Sequence, residues 1–151
     1  FSVLKLKKIK LNKEQLKICN QNVVIHIRGG DFLSINNLNI CKLAYYKNSI
    51  EYLLSKGSKN FIVICEDQSY GRELIKELKN YFNDLQISIL KSDSIKNDFN
   101  LIRSSKLAIL SNSTFSWWAS FLSNSKKEFL APSNFSIKEK RIILPSETII
   151  N

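Results

Sequence analysis

Five short, mostly apolar runs constrain this chain more than any other feature: Val23 to Ile27, Phe61 to Cys65, Ile87 to Leu90, Leu107 to Leu110 and Phe129 to Ala131. Continuous apolar runs of this length read as strands covered on both faces. Between them the spacing turns helical. Tyr46, Ile50, Leu53 and Leu54 share one side of the segment after Lys42, with Lys47, Asn48, Glu51 and Lys56 opposite. Leu74, Ile75, Leu78, Tyr81 and Phe82 repeat at helical spacing in the segment from Tyr70 to Phe82. Strands alternating with helices predict an α/β fold, a Rossmann-like, mostly parallel sheet with helices on both faces. The length, 151 residues, suits one domain. Ligands of such sheets lie beyond the carboxyl ends of the strands, so residues that follow each run are the first to weigh.

The run with most to offer is Val23-Val24-Ile25-His26-Ile27-Arg28-Gly29-Gly30-Asp31. His26, the only histidine, with Arg28 and Asp31, would gather at the floor of the crevice, and Gly29 and Gly30 let the backbone approach a ligand. The glycine spacing fits neither G-x-G-x-x-G nor G-x-x-x-x-G-K-[ST], so arginine must supply the anion contact. A guanidinium suits that task, being permanently charged and able to grip two phosphate oxygens. A core histidine beside a surface ion pair is the plainer reading of the same residues. A complementary stretch stands far downstream, Ser111-Asn112-Ser113-Thr114-Phe115-Ser116-Trp117-Trp118. Following the fourth run, it starts a helix at the mouth of the sheet, where free amides and the positive helix end favour an anion. The hydroxyls of Ser113, Thr114 and Ser116 can add donors; plain N-capping is the other reading. Phe115, Trp118, Ala119 and Leu122 form a stripe expected to anchor that helix in the core, and the tryptophan pair is assigned to packing.

The remaining chain divides simply. Asn12 can cap a helix to about Cys19, Ser34 to Asn39 reads as a loop at the ligand mouth, and Gly57 ends the helix after Lys42. Glu66-Asp67 either faces the crevice or caps the next helix. Asp98 to Ile102 reads as a capped helix, and Ile142-Ile143-Leu144 as a last extended piece before Pro145.

Composition narrows the function classes. The net charge of +10 fits either lysine-rich solvated faces or an anionic partner, such as nucleotide phosphate, lipid head group or nucleic acid. No RNP, KH or helix-turn-helix pattern is present, so nucleic acid is not expected. The three cysteines, Cys19, Cys41 and Cys65, lack C-x-x-C spacing, and with one histidine zinc is not expected. No D-x-D pair suited to Mg²⁺ or Mn²⁺ appears, so no metal and no cofactor is anticipated. Phe1 to Leu11 lacks the apolar region of a signal peptide, and no run is long enough to span a membrane. The expectation is a cytoplasmic protein whose basic charge suits peripheral contact with the inner face of a membrane. With Phe1 at the start and no methionine anywhere, the chain is expected to be a fragment.

Taken together, H-x-R-x-G-D and S-N-S-T-F-S-W-W resemble the α-1,2-fucosyltransferases, glycosyltransferase family 11. The resemblance runs from Val23 to Ala131 and includes Tyr45-Tyr46, Ile50-Glu51-Tyr52, Glu66-Asp67 and Asp98, eighteen residues before Ser116. One departure is Gly29, where the family usually carries a second arginine. What the resemblance implies is the carboxyl-terminal, GDP-fucose-binding half of a GT-B transferase. Residues 23–151 would be that domain, and residues 1–22 a linker or partial helix from a missing amino-terminal acceptor domain. Arg28 would hold the β-phosphate, His26 would lie near the guanine, Asp98 would read the base, and Ser113, Thr114, Phe115 and Ser116 would cradle the diphosphate. The implied reaction is inverting, metal-independent α-1,2 transfer of fucose to a galactose-type glycan hydroxyl, as in polysaccharide or O-antigen assembly. Asp31 is either the general base or an ion pair that orients Arg28. The rival readings are a transferase using another nucleotide sugar and a non-catalytic basic module that binds nucleotides or other anions.

Overall fold

The β-branched residues of β1 (Val23–Ile27) are buried throughout, because strands flank β1 on both edges and helices cover both its faces. The structure, a computed structural model, describes residues 10–30, 34, 41–91, 93–123, 128–135 and 139–151. β1 pairs in parallel with β2 (Asn60–Cys65), from Val23 opposite Phe61 to Ile27 opposite Cys65. Its other edge pairs in parallel with β4 (Leu107–Ile109). β3 (Gln86–Ile89), β5 (Glu128–Ala131) and β6 (Glu147–Ile149) complete a six-stranded parallel sheet in the order β3-β2-β1-β4-β5-β6. The chain reverses its direction of winding between β1 and β4, which opens a crevice at the carboxyl ends of those two strands.

Alternate side chains of β1 feed two cores. Val23, Ile25 and Ile27 pack with Phe61 and Val63 under α2 (Leu43–Ser55) and α3 (Gln68–Tyr81), through Tyr46, Ile50, Leu53, Leu74 and Leu78. Val24 packs on the opposite face with Ile62, Ala108, Leu110 and Phe129, under α1 (Lys13–Gln21), α4 (Ile95–Ser104) and α5 (Thr114–Phe121). Among the described residues, no helix is long and apolar enough to cross a membrane.

Caps set the helix boundaries, and in α3 and α4 they shift the expected picture. α1 starts with a full capping box, Asn12 and Gln15 each bonding the other's backbone amide. α3 starts at Gln68, ahead of Tyr70, because Asp67 accepts from the amides of Ser69 and Tyr70. α4 is capped by Ser94, so Asp98 sits inside the first turn of the helix and does not cap it. In α5 the residues that turn inward are the small ones, Ser116, Ala119 and Ser120, whereas Trp118 is half exposed. Small side chains let α5 lie close against α4; of the expected anchoring stripe, Ala119 is buried and Phe115 packs against the same core, whereas Trp118 turns outward. The apolar run Ile142-Ile143 is likewise not the last strand. Both residues are exposed, and the sixth strand forms after Pro145, at Glu147–Ile149. A half-buried edge strand needs no apolar run, which is why its sequence is unremarkable.

Candidate functional site

At the switch point the chain leaves a cleft of about 630 Å³. Its floor is the end of β1, with His26, Ile27 and Arg28; one wall is the start of α5, with Ser113, Thr114 and Phe115; the other is Glu66 and Gln68 after β2. Lys91 beyond β3 and Ile95 and Asp98 of α4 form the rim. Thus Arg28 and the serine-rich turn, expected to converge from distant parts of the chain, line the same cleft. Ser116 does not line it. Its buried hydroxyl donates to the carbonyls of Ser111 and Ser113, each at 3.1 Å, and so shapes the turn from behind. Asp31 lies outside the described residues, as does the expected mouth loop apart from Ser34.

His26 is buried and its Nδ1 lies 2.8 Å from Ser111 Oγ, which ties β1 to the turn before α5. Burial, reinforced by the charge of Arg28, pushes the imidazole pKa down to about 3. His26 is therefore neutral at any physiological pH, and Arg28 is the cation of the cleft floor. The His26 ring also stands 5.5 Å from that of Phe115, which in turn meets Phe99 edge-on at 5.4 Å. Ile27, Ile64, Ile95 and Phe115 thus offer an apolar lining beside polar ends, a combination that suits a planar base joined to a charged group.

Arg28 Nη1 donates to Glu66 Oε2 at 2.5 Å, with Glu66 mostly exposed. The two adjacent acids after β2 therefore divide the work: Asp67 caps α3, and Glu66 faces the cleft and holds the guanidinium. On the other wall, Ser113 Oγ accepts from the Phe115 amide at 3.2 Å and its carbonyl accepts from the Trp117 amide at 3.0 Å. Helix geometry leaves the Thr114 and Ser116 amides without an intrahelical acceptor, at the positive end of α5. Capping and anion binding are therefore compatible roles of one turn. Among the described residues, no three His, Cys, Asp or Glu side chains group as a metal site.

Lys91, Gln68 and Ile95 were not singled out from the sequence. Lys91 and Gln68 follow strands, so the rule of carboxyl ends reaches them; Gln68 Nε2 spans the ends of β2 and β3 by donating to the carbonyls of Cys65 and Leu90. Ile95, on α4, has no such signal.

Residues 4–145 match the family model described as glycosyl transferase family 11. The chain belongs to glycosyl transferase family 11. Two Escherichia coli relatives are similar to it. An alpha-1,2-colitosyltransferase is 31% identical over 111 residues, covering 70% of this chain and 38% of the relative. The O-antigen biosynthesis glycosyltransferase WbnK is 23% identical over 130 residues, covering 74% and 42% respectively. The chain thus spans about two-fifths of the length of these relatives. Among solved structures, E. coli heptosyltransferase WaaC with ADP superposes with a TM-score of 0.55 at 10% identity, over 87% of this chain and 38% of that one. That likeness shows the fold, which is the Rossmann-like half of a GT-B glycosyltransferase.

The surroundings of Gly29 leave little room for a side chain. A Cβ at that position would fall 2.6 Å from Tyr70 Cδ1 and 3.4 Å from Asp67 Cβ, so the ring of Tyr70 occupies the space a side chain would need. Gly30 follows with φ +63, a left-handed turn residue with open space around it.

Proposed function

We propose that this domain binds the nucleotide-sugar donor of a glycosyl transfer, GDP-fucose, and stabilises the diphosphate as it leaves. The observation that carries the reading is the presence of Arg28, on the floor, and the Ser113-Thr114-Phe115 turn, on the wall, in the lining of one cleft. Cleavage at the anomeric carbon places negative charge on the departing diphosphate. A guanidinium and a helix start that already face that charge stabilise it more in the transition state than in the ground state. Removing one such donor typically costs about 10²–10³ in rate. Because these groups can neutralise the charge by themselves, the proposal is for metal-independent transfer.

The guanine preference rests on Asp98 and the family resemblance. A carboxylate can accept both the N1–H and the 2-amino group of guanine, a donor pair that adenine and uracil lack. In this proposal His26 and Phe115 line the base side of the cleft, and a galactose-type glycan hydroxyl attacks with inversion to give an α-1,2 linkage. The acceptor would be held by a separate amino-terminal half. Calorimetric titration tests the donor reading: GDP and GDP-fucose should bind more tightly than UDP and ADP, and equal affinity for all four would overturn it.

The name of the colitosyltransferase relative favours a second donor. Comparing hydrolysis of GDP-fucose and GDP-colitose separates the two sugars without changing the nucleotide argument.

A further inference from the structure

We infer that Arg141 and Glu147 are positioning residues, a buried ion pair that holds the turn before α5 in its anion-binding shape. This rests on the proposed reading of the cleft. Both side chains are fully buried, with Arg141 Nη2 2.6 Å from Glu147 Oε1 and Nε 3.5 Å from Oε2. Glu147 Oε2 also accepts from the Leu144 amide at 3.0 Å. The remaining arm of the fork reaches the site: Arg141 Nη1 donates to the carbonyl of Ser111 at 3.3 Å. That carbonyl also accepts from Ser116 Oγ, and the Ser111 hydroxyl meets His26 Nδ1. A second tie runs in parallel, since Arg141 lies 5.1 Å from the centre of the Phe135 ring and the Phe135 carbonyl accepts from Asn112 Nδ2 at 3.1 Å. Ser111 and Asn112 are thus both held by residues outside the cleft lining, Arg141 and Phe135.

Stability alone does not account for the pair. Taking two charges out of water is costly, and apolar residues of similar volume commonly serve a core as well or better. What an apolar pair cannot do is fix a carbonyl in place. A guanidinium with two arms on Glu147 and one on Ser111 sets the height and tilt of the peptide from which Ser113, Thr114 and Phe115 project, and displacement of binding groups by about 1 Å is enough to lose affinity or rate.

The test compares wild type with the double variant Arg141→Met/Glu147→Leu, which removes both charges at similar volume, and with Arg141→Lys, which keeps the charge but not the fork. The double variant should fold, with a thermal midpoint at or above that of wild type. It should bind GDP about tenfold more weakly, a change of about 1.4 kcal/mol, while guanosine, which has no phosphate, binds equally to both. Arg141→Lys should fall between them. In the ligand-free proteins, the His26 ring and the amides of residues 112–116 should shift in NMR spectra of both variants. A folded variant with unaltered turn signals, or with GDP affinity equal to wild type, overturns the inference. Failure of wild type to bind GDP would instead overturn the donor reading, and the ligand-free spectra would still decide the role of the pair.

Discussion

Acidification should destabilise this domain measurably through one side chain. Burial and Arg28 hold the His26 pKa down to about 3, against 6.5 for a free histidine. Between those values the unfolded chain binds a proton that the folded chain refuses, so stability is fully present above pH 6.5 and is lost as the pH falls towards 3. At 1.36 kcal/mol per unit, moving from pH 7 to pH 5 removes about 2 kcal/mol, a large share of the stability of a small domain. Urea unfolding of wild type and His26→Gln at both pH values measures the effect. Carboxylates contribute equally to both proteins, so the difference between the two pH dependences belongs to His26, the only histidine in the chain. Equal pH dependence in the two proteins would show that His26 carries no such linkage, as would an NMR titration of the ring with its midpoint near 6.5.

Two substitutions probe the cleft itself. Glu66 is mostly exposed, so its ion pair with Arg28 is worth no more than about 1 kcal/mol; Glu66→Gln should therefore strengthen GDP binding by up to about fivefold in calorimetry, and weaker binding would mean that the carboxylate contacts the ligand directly. Gly29→Ala should destabilise the fold by about 1–3 kcal/mol in denaturant unfolding, the usual range for overpacking, because its Cβ meets the Tyr70 ring. In a Tyr70→Ser background, which removes that ring, the same Gly29→Ala change should cost much less.

Much of the fold was legible because β1, β2 and β4 are buried on both faces and have continuous apolar sequences. β6 was not legible: Glu147–Ile149 is an edge strand, and the apolar pair Ile142-Ile143 drew attention to a segment that stands out from the surface. The outward turn of Trp118 on α5 was not legible for a related reason, since close helix packing places Ser116 and Ser120 inward beside Ala119. In the cleft, Arg28 and Ser113 were found because strand-end residues must lie at the switch point. Glu66 and Asp67 could not be told apart, since adjacent acids diverge only once Asp67 has met the amides of α3. Arg141 left no local signal at all. Its role arises from Ser111, thirty residues earlier, and from a carboxylate that the strand β6 brings alongside.

In the proposed reading Arg28 and the start of α5 grip one diphosphate, and a double-mutant cycle on GDP binding probes that shared grip. Arg28→Ala removes the guanidinium. Thr114→Pro removes an amide and a hydroxyl from the helix start while keeping the helix, since proline suits the first helical position and Ser113 is already extended. If both groups hold the same ligand, each variant should weaken GDP binding, and the double variant should deviate from the sum by about 0.5–3 kcal/mol. Strictly additive losses, or a single variant with unchanged affinity, would mean that the two groups do not hold one diphosphate.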